Sequence, residues 1–387
     1  MTDTTALFTP HAFAGLELSN RLVLAPMTRT SAQDDGQVHF EMVDYYRDFA
    51  RGNFSLLITE GIYTDEAFSQ GYANQPGLAN QAQQDSWRPV VDAVHQQGGR
   101  LIAQLMHAGA QTQHNRFKDE VVAPSESRAS GEMLSFYGGS GPFPLAREIS
   151  DAEIHDAIAG FATSARRAKE AGFDGIELHG ANGYLIHQFI SERFNQRDDA
   201  WGGDAIARLA FPLAVIRSVR EAVGTDFAIG MRLSQGTVTE PELTWQGGPD
   251  EARERFAKLM EAGLDFLHLT GSDVDAPAFP EADDERERSL SLTALAAQVR
   301  SEKAAEVSLI TNGNVASVAK AQAALQHADL VAIGRSALAN HDWPKRVQRG
   351  TCLTEFDFSM LSPLATLANE EDWRIANDKP ANCEGRC

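Results

Sequence analysis

At 387 residues, with 43% hydrophobic and 23% charged side chains, the chain can bury a large core and is too long for one small bundle or sandwich. Its 54 acidic against 34 basic side chains leave a formal net charge of −20. That balance opposes nucleic acid and anionic membrane surfaces, leaves room for at most a local basic pocket, and makes small molecules the expected partners. Three cysteines, Cys352, Cys383 and Cys387, all lie near the C-terminal end. They cannot staple a secreted scaffold, so a reducing, cytoplasmic setting is expected. The first residues lack a basic stretch followed by an apolar one, and no window approaches the ~18 apolar residues of a membrane span.

Short apolar runs alternate with longer segments of helical period. In chain order the expected strands are Leu22 to Met27, Ser55 to Gly61, Arg100 to Met106, Gly175 to His179, Phe227 to Leu233, Phe266 to Thr270, Ser308 to Asn312 and Leu330 to Gly334. The helices expected between and after them cover 38–51, 82–97, 151–171, 204–223, 249–262, 290–301, 315–327 and 336–348. Runs that are apolar on both faces suit parallel strands covered by helices. Eight βα units without a composition break predict one TIM (β/α)8 barrel over residues 1–350, and residues 351–387 are expected as a C-terminal tail on or near it. The connection from Gly109 to Ile149 is long and carries Phe136 and Tyr137, which suits a lid or pocket wall.

Strand ends at the C-terminal face of such a barrel form the reaction pocket. Gly313 and Gly334 follow the seventh and eighth strands, where bare backbone N–H groups, with Arg335 nearby, favour a phosphate over the competing reading of ordinary turn glycines beside a surface arginine. No strand leads into Gly-x-Gly-x-x-Gly, so a separate dinucleotide fold is not expected. Gln104 offers the donor and acceptor that a flavin pyrimidine edge requires, Thr28 a hydroxyl, and Arg232 a positive charge for the reduced ring. Each taken singly reads equally well as a turn residue, a loop cap or a salt-bridge partner.

The stretch Ile176-Glu-Leu-His179-Gly-Ala-Asn182-Gly-Tyr184-Leu-Ile-His187 carries more. It resembles the His-x-Ala-Asn-Gly-Tyr-Leu segment of the old yellow enzyme family, FMN-dependent ene-reductases on a TIM barrel. The resemblance continues, in order, through Leu22-Val-Leu-Ala-Pro-Met-Thr-Arg29, Gln104-Leu-Met-His-Ala-Gly109, Met231-Arg232-Leu-Ser234, Asn312-Gly313-Asn314 and Ala332-Ile-Gly334-Arg335. It implies FMN contacts at Ala25, Pro26, Thr28, Gly61, Gln104, Arg232, Gly313, Asn314, Gly334 and Arg335. His179 and Asn182 are implied to hold the oxygen of an activated alkene, an α,β-unsaturated carbonyl or nitro compound. Tyr184 is implied as proton donor and Met106 as part of the substrate pocket. NADH or NADPH would reduce the flavin from the same face in a ping-pong cycle.

The chain departs from the family at Arg197-Asp198-Asp199-Ala200-Trp201-Gly202-Gly203, where relatives often read Arg-Thr-Asp-Glu-Tyr-Gly-Gly, so this loop's own bonding is in question. Threonine rather than cysteine at position 28 removes thiol tuning of the flavin, and Met106 leaves the pocket shape open. Cys383 and Cys387 are expected as thiols of a solvated tail, too few for an iron–sulfur cluster, and no metal site is expected. The competing functions are a flavin-dependent amine or alcohol dehydrogenase on the same barrel, a flavin-independent phosphate-binding lyase, and a non-catalytic flavin-binding barrel.

Overall fold

A computed structural model describes residues 4–377. Eight parallel strands close on themselves: β1 Leu22–Leu24, β2 Leu56–Ile58, β3 Arg100–Met106, β4 Gly175–Asn182, β5 Ala228–Thr237, β6 Phe266–Thr270, β7 Ser308–Asn312 and β8 Leu330–Ile333. Each pairs with the next, and β8 returns to β1. Alternation along the strands separates two environments. Leu101, Leu105, Leu178, Met231, Leu267 and Leu309 face the surrounding helices, whereas Val23, Ile58, Ile102, Phe266, Ile310 and Ala332 fill the interior. A hairpin, His11–Phe13 with Leu16–Leu18, closes the N-terminal mouth by packing Phe13 and Leu18 into that interior, with the Phe13 and Phe266 rings 5.0 Å apart. The C-terminal mouth is left for ligands.

The covering helices are α1 Phe40–Arg51, α2 Gln81–Gln96, α3 Asp151–Ala171, α4 Ala210–Val223, α5 Gly248–Glu261, α6 Leu292–Lys303, α7 Val318–Ala324, and in the eighth unit α8 Arg335–Leu338 and α9 Trp343–Arg349. Helix α3 is bounded as the sequence predicts because Ser150 and Glu153 form a reciprocal capping box and Gly172 ends it in the left-handed conformation. Helix α4 starts six residues later than the pattern suggests. There the Asp204 carboxylate takes the N–H groups of Ile206 (3.0 Å) and Ala207 (2.8 Å), folding the segment into a turn. The expected single helix over 336–348 is broken by the Asn340 side chain, which bridges Ser336 and Thr354, and by Pro344 at the start of α9.

Beyond the barrel, helix α10, Leu367–Asn377, lies against the loop after β1. Arg29 and Glu370, both almost fully buried, meet there at 2.7 Å, and His341 also bonds Glu370. Burial pushes the Glu370 carboxyl up, but Arg29 and then His341 hold it below its ordinary value. Cys352 is disulfide-bonded, which the sequence did not suggest; Cys383 and Cys387 lie outside the described residues. No helix among the described residues is long and apolar enough to cross a membrane.

Candidate active site

The interior-facing residues at the upper ends of the strands line two adjoining cavities. One, of about 420 Å³, is bounded by Thr28, Gly61, Gln104, Met106, His179, Asn182, Tyr184 and Arg232. The other, of about 1620 Å³, runs past Ala25, Gly313, Asn314 and Gly334. Pro26, Met27, Gly271, Ser272 and Arg335 border both, so the two form one elongated site. All the residues that the family motifs pick out therefore border this site.

The larger cavity has the backbone character the glycines foretell. Gly313 adopts φ +149°, and a Cβ there would stand 2.6 Å from the Gly271 carbonyl oxygen, so only glycine fits. At Gly334 a Cβ would meet protein no closer than 3.8 Å, leaving the space above it for a ligand. Asn314 is in the left-handed conformation and its side-chain amide donates to Asp273 at 3.0 Å, so what it presents to this cavity is backbone. Arg335 is exposed and lies over the Phe358 ring at 5.9 Å.

In the smaller cavity, Arg232 on β5 is buried and fixed by two bonds from Nη2, to Thr270 Oγ1 (3.1 Å) and Asn312 Oδ1 (2.7 Å), while its Nε has no partner. Gln104 on β3 donates from Nε2 to Glu177 Oε1 at 2.7 Å, and no protein donor among the described residues reaches its carbonyl oxygen. An orphaned guanidinium N–H and an open amide carbonyl bordering one cavity fit the polar edge of a heterocycle.

His179 lies near the C-terminal end of β4, one residue before the last regular pair with β5, Gly180 with Leu233. Its Nδ1 accepts a hydrogen bond from the Ala181 N–H at 3.4 Å, which leaves the hydrogen on Nε2. Burial, reinforced by Arg232, holds its pKa well below the ordinary value, so the ring is neutral at pH 7. Asn182 sits at φ +62°, its N–H held by Ser234 Oγ at 2.8 Å, and its side-chain amide has no partner among the described residues. Tyr184 follows, with its ring 4.8 Å from that of His179. Its hydroxyl bonds the Tyr72 hydroxyl, and burial raises both phenols above their usual pKa. Gln188 ties this turn to the loop after β3 by donating to the Gly183 and Ala108 carbonyls and accepting from the Ala110 N–H. Phe136 and Tyr137 of the long loop wall the cavity, and the Phe136 carbonyl is bonded by the Ala365 N–H at 2.7 Å. Met106 forms the wall beside Gly61, where a Cβ would lie 2.7 Å from its sulfur.

Sequence reasoning missed Tyr72, which sits in a loop without periodicity, and missed Glu177 and His268 inside the barrel. Glu177 was visible in principle, since it lies two residues before His179 on the same strand face. The altered 197–203 loop is secured by Arg197, which donates to the Pro124 (2.8 Å) and Ile149 (2.9 Å) carbonyls and pairs with Asp199.

His187, in the short helix Leu185–Ile190 that follows Tyr184, is buried, and desolvation, then Arg255, lowers its pKa to about 4. Between that value and the ordinary ~6.5 the unfolded chain binds a proton the folded one refuses, so stability falls as pH drops through this window. Roughly 3 kcal/mol should be lost between pH 7 and pH 4 at this site. Urea unfolding should find that part of the acid sensitivity absent in His187→Gln.

A model of the NADH:flavin oxidoreductase / NADH oxidase family matches residues 6–353. Chanoclavine-I aldehyde reductase of Penicillium roqueforti is 36% identical over 91% of this chain and 92% of its own. Among solved structures, an old yellow enzyme homologue from Zymomonas mobilis superposes with a TM-score of 0.81 at 30% identity, over 95% of this chain and 99% of that one. Morphinone reductase in complex with tetrahydroNAD gives 0.78 at 32% identity, over 92% and 94%. A parallel barrel with an elongated polar site at its C-terminal mouth, matched over nearly its whole length by these proteins, belongs to the old yellow enzyme family of FMN-containing, NAD(P)H-dependent flavin oxidoreductases.

Proposed function

We propose that this protein is an ene-reductase, saturating the C=C bond of α,β-unsaturated carbonyl or nitro compounds at the expense of NADH or NADPH. The observation that carries the reading is the placement of a neutral imidazole, an unpartnered amide and a high-pKa phenol on the wall of one cavity with Gln104 and Arg232. Bound FMN would supply the hydride once reduced. Gln104, Arg232 and Thr28 would hold the polar groups of its ring, Thr28 near O4 and N5, and Gly313, Gly334 and Arg335 its phosphate, with Ala25, Pro26, Gly61 and Asn314 completing the bed.

His179 Nε2–H and the Asn182 amide would donate to the carbonyl or nitro oxygen, where negative charge develops as the β-carbon is reduced. Because both are neutral and already oriented, they favour the oxyanion of the transition state over the ground-state oxygen. Tyr184 Oη would deliver the proton to the α-carbon, with the Tyr72 hydroxyl positioned to replace it. A raised phenol pKa keeps that proton in place at pH 7. Phe136, Tyr137 and Met106, which line the same cavity, would exclude water and shape the space for substrate.

Turnover of 2-cyclohexenone with NAD(P)H deuterated at the transferred position tests the reading. Deuterium at the β-carbon and a solvent proton at the α-carbon of cyclohexanone are expected. Label on the carbonyl carbon, giving the allylic alcohol, would contradict it.

A further inference from the structure

Beneath the floor of the smaller cavity the barrel interior holds a charge that the proposed chemistry does not use. Glu177 on β4 is completely buried, as is His268 on β6. The strand register sets Gln104 beside Glu177, and Arg232 beside both His179 and His268, so four neighbouring strands contribute to one cluster. Glu177 Oε1 accepts from Gln104 Nε2 and Glu177 Oε2 from His268 Nδ1, each at 2.7 Å. His268 Nε2 is left without a partner. A carboxylate accepts and does not donate, so both bonds have a fixed direction.

That direction has a consequence for the cavity above. An isolated glutamine amide presents either its oxygen or its NH2 with little cost. Here the NH2 is drawn down to Glu177 and the oxygen is turned to the open side. The cluster also sets a negative charge within reach of the Arg232 guanidinium, which no carboxylate among the described residues contacts directly.

We propose that Glu177, steadied by His268, is a positioning residue for FMN: it fixes Gln104 with its carbonyl toward the flavin N3–H, and its charge, set below the ring, opposes accumulation of negative charge on the reduced cofactor. The inference rests on Gln104 meeting the flavin edge. It assigns Glu177 no contact with substrate. Removing the charge with Glu177→Gln has two separable effects. The amide at 177 can itself donate, so Gln104 loses its fixed orientation and FMN binds more weakly. The anionic reduced ring is opposed less, so the ratio of affinities for reduced over oxidised FMN rises.

The test uses the purified holoenzyme and its apoprotein. FMN dissociation constants follow from fluorescence titration, and the two-electron midpoint potential from dye-equilibrated reduction. For Glu177→Gln we expect at least tenfold weaker binding of oxidised FMN. We also expect a more positive potential, with the reduced-to-oxidised affinity ratio raised about tenfold, or ~30 mV for two electrons. Glu177→Asp, which keeps the charge, should retain a near-native potential while weakening FMN, and it carries the test if the glutamine variant does not fold. An unchanged potential in Glu177→Gln, or a shift of equal size in Glu177→Asp, would overturn the proposal, since a merely structural role moves stability and not this ratio. Gln104→Ala separates the underlying reading. If that variant binds FMN as tightly as the native protein, the placement of Gln104 at the flavin fails, whatever Glu177 does.

Discussion

Replacing Tyr184 with phenylalanine should slow reduction of an enone by ~10²–10⁴-fold, the usual contribution of a positioned general acid, while leaving reduction of FMN by NAD(P)H within a few-fold of native. The asymmetry follows from the site. Only the step that forms the α C–H bond needs a proton, and the Tyr184 hydroxyl, raised in pKa and bonded to Tyr72 beside His179, is the proposed donor. Loss of one oxygen from a ring that keeps its packing against His179 should not disturb the fold. Rapid-mixing measurement of the two half-reactions checks this, and equal slowing of both would remove Tyr184 from the role.

The second large effect is expected for His179→Ala combined with Asn182→Ala. Loss of one preorganised donor to a developing oxyanion costs ~10²–10³-fold in turnover, and these two are proposed to share one oxygen, so losing both should exceed the effect of losing either. The pair is also expected to hold the nicotinamide carboxamide, so both half-reactions should slow, in contrast to Tyr184→Phe. FMN should remain bound, because its proposed anchors at Gln104, Arg232 and the Gly313–Gly334 cavity are untouched. Titration with a phenol or an enone, followed in the flavin absorption band, should show affinity lost by at least an order of magnitude. Unchanged ligand affinity would contradict the assignment.

The barrel was legible because its physics is periodic. Strands such as Phe266–Thr270 and Ser308–Asn312 are found at their expected bounds, since a parallel strand covered by helices has to be apolar on its outer face and capped by polar residues at the ligand end. Boundaries slipped where a single side chain competes with the helix ladder: Asp204 before α4, and Asn340 between α8 and α9. The strand-end residues that border the cavity were legible for a related reason, as the motifs around His179, Gln104 and Arg232 concentrate glycine and polar groups where apolar residues would otherwise sit. Tyr72 and the Arg29–Glu370 pair were not, because each depends on segments distant in sequence meeting in space, Glu370 coming from beyond the barrel. Asn314 shows the limit of motif transfer: its side chain is committed to Asp273, and only its backbone remains for a ligand.

The proposed function rests on one cavity that would accept electrons from a nicotinamide and pass them to an activated alkene through bound FMN. Anaerobic titration of the purified protein tests this most directly. Its yellow absorption should bleach on stoichiometric NADH or NADPH and return on addition of 2-cyclohexenone, with cyclohexanone formed in equal amount. A flavin that bleaches but is recoloured only by oxygen would contradict the account.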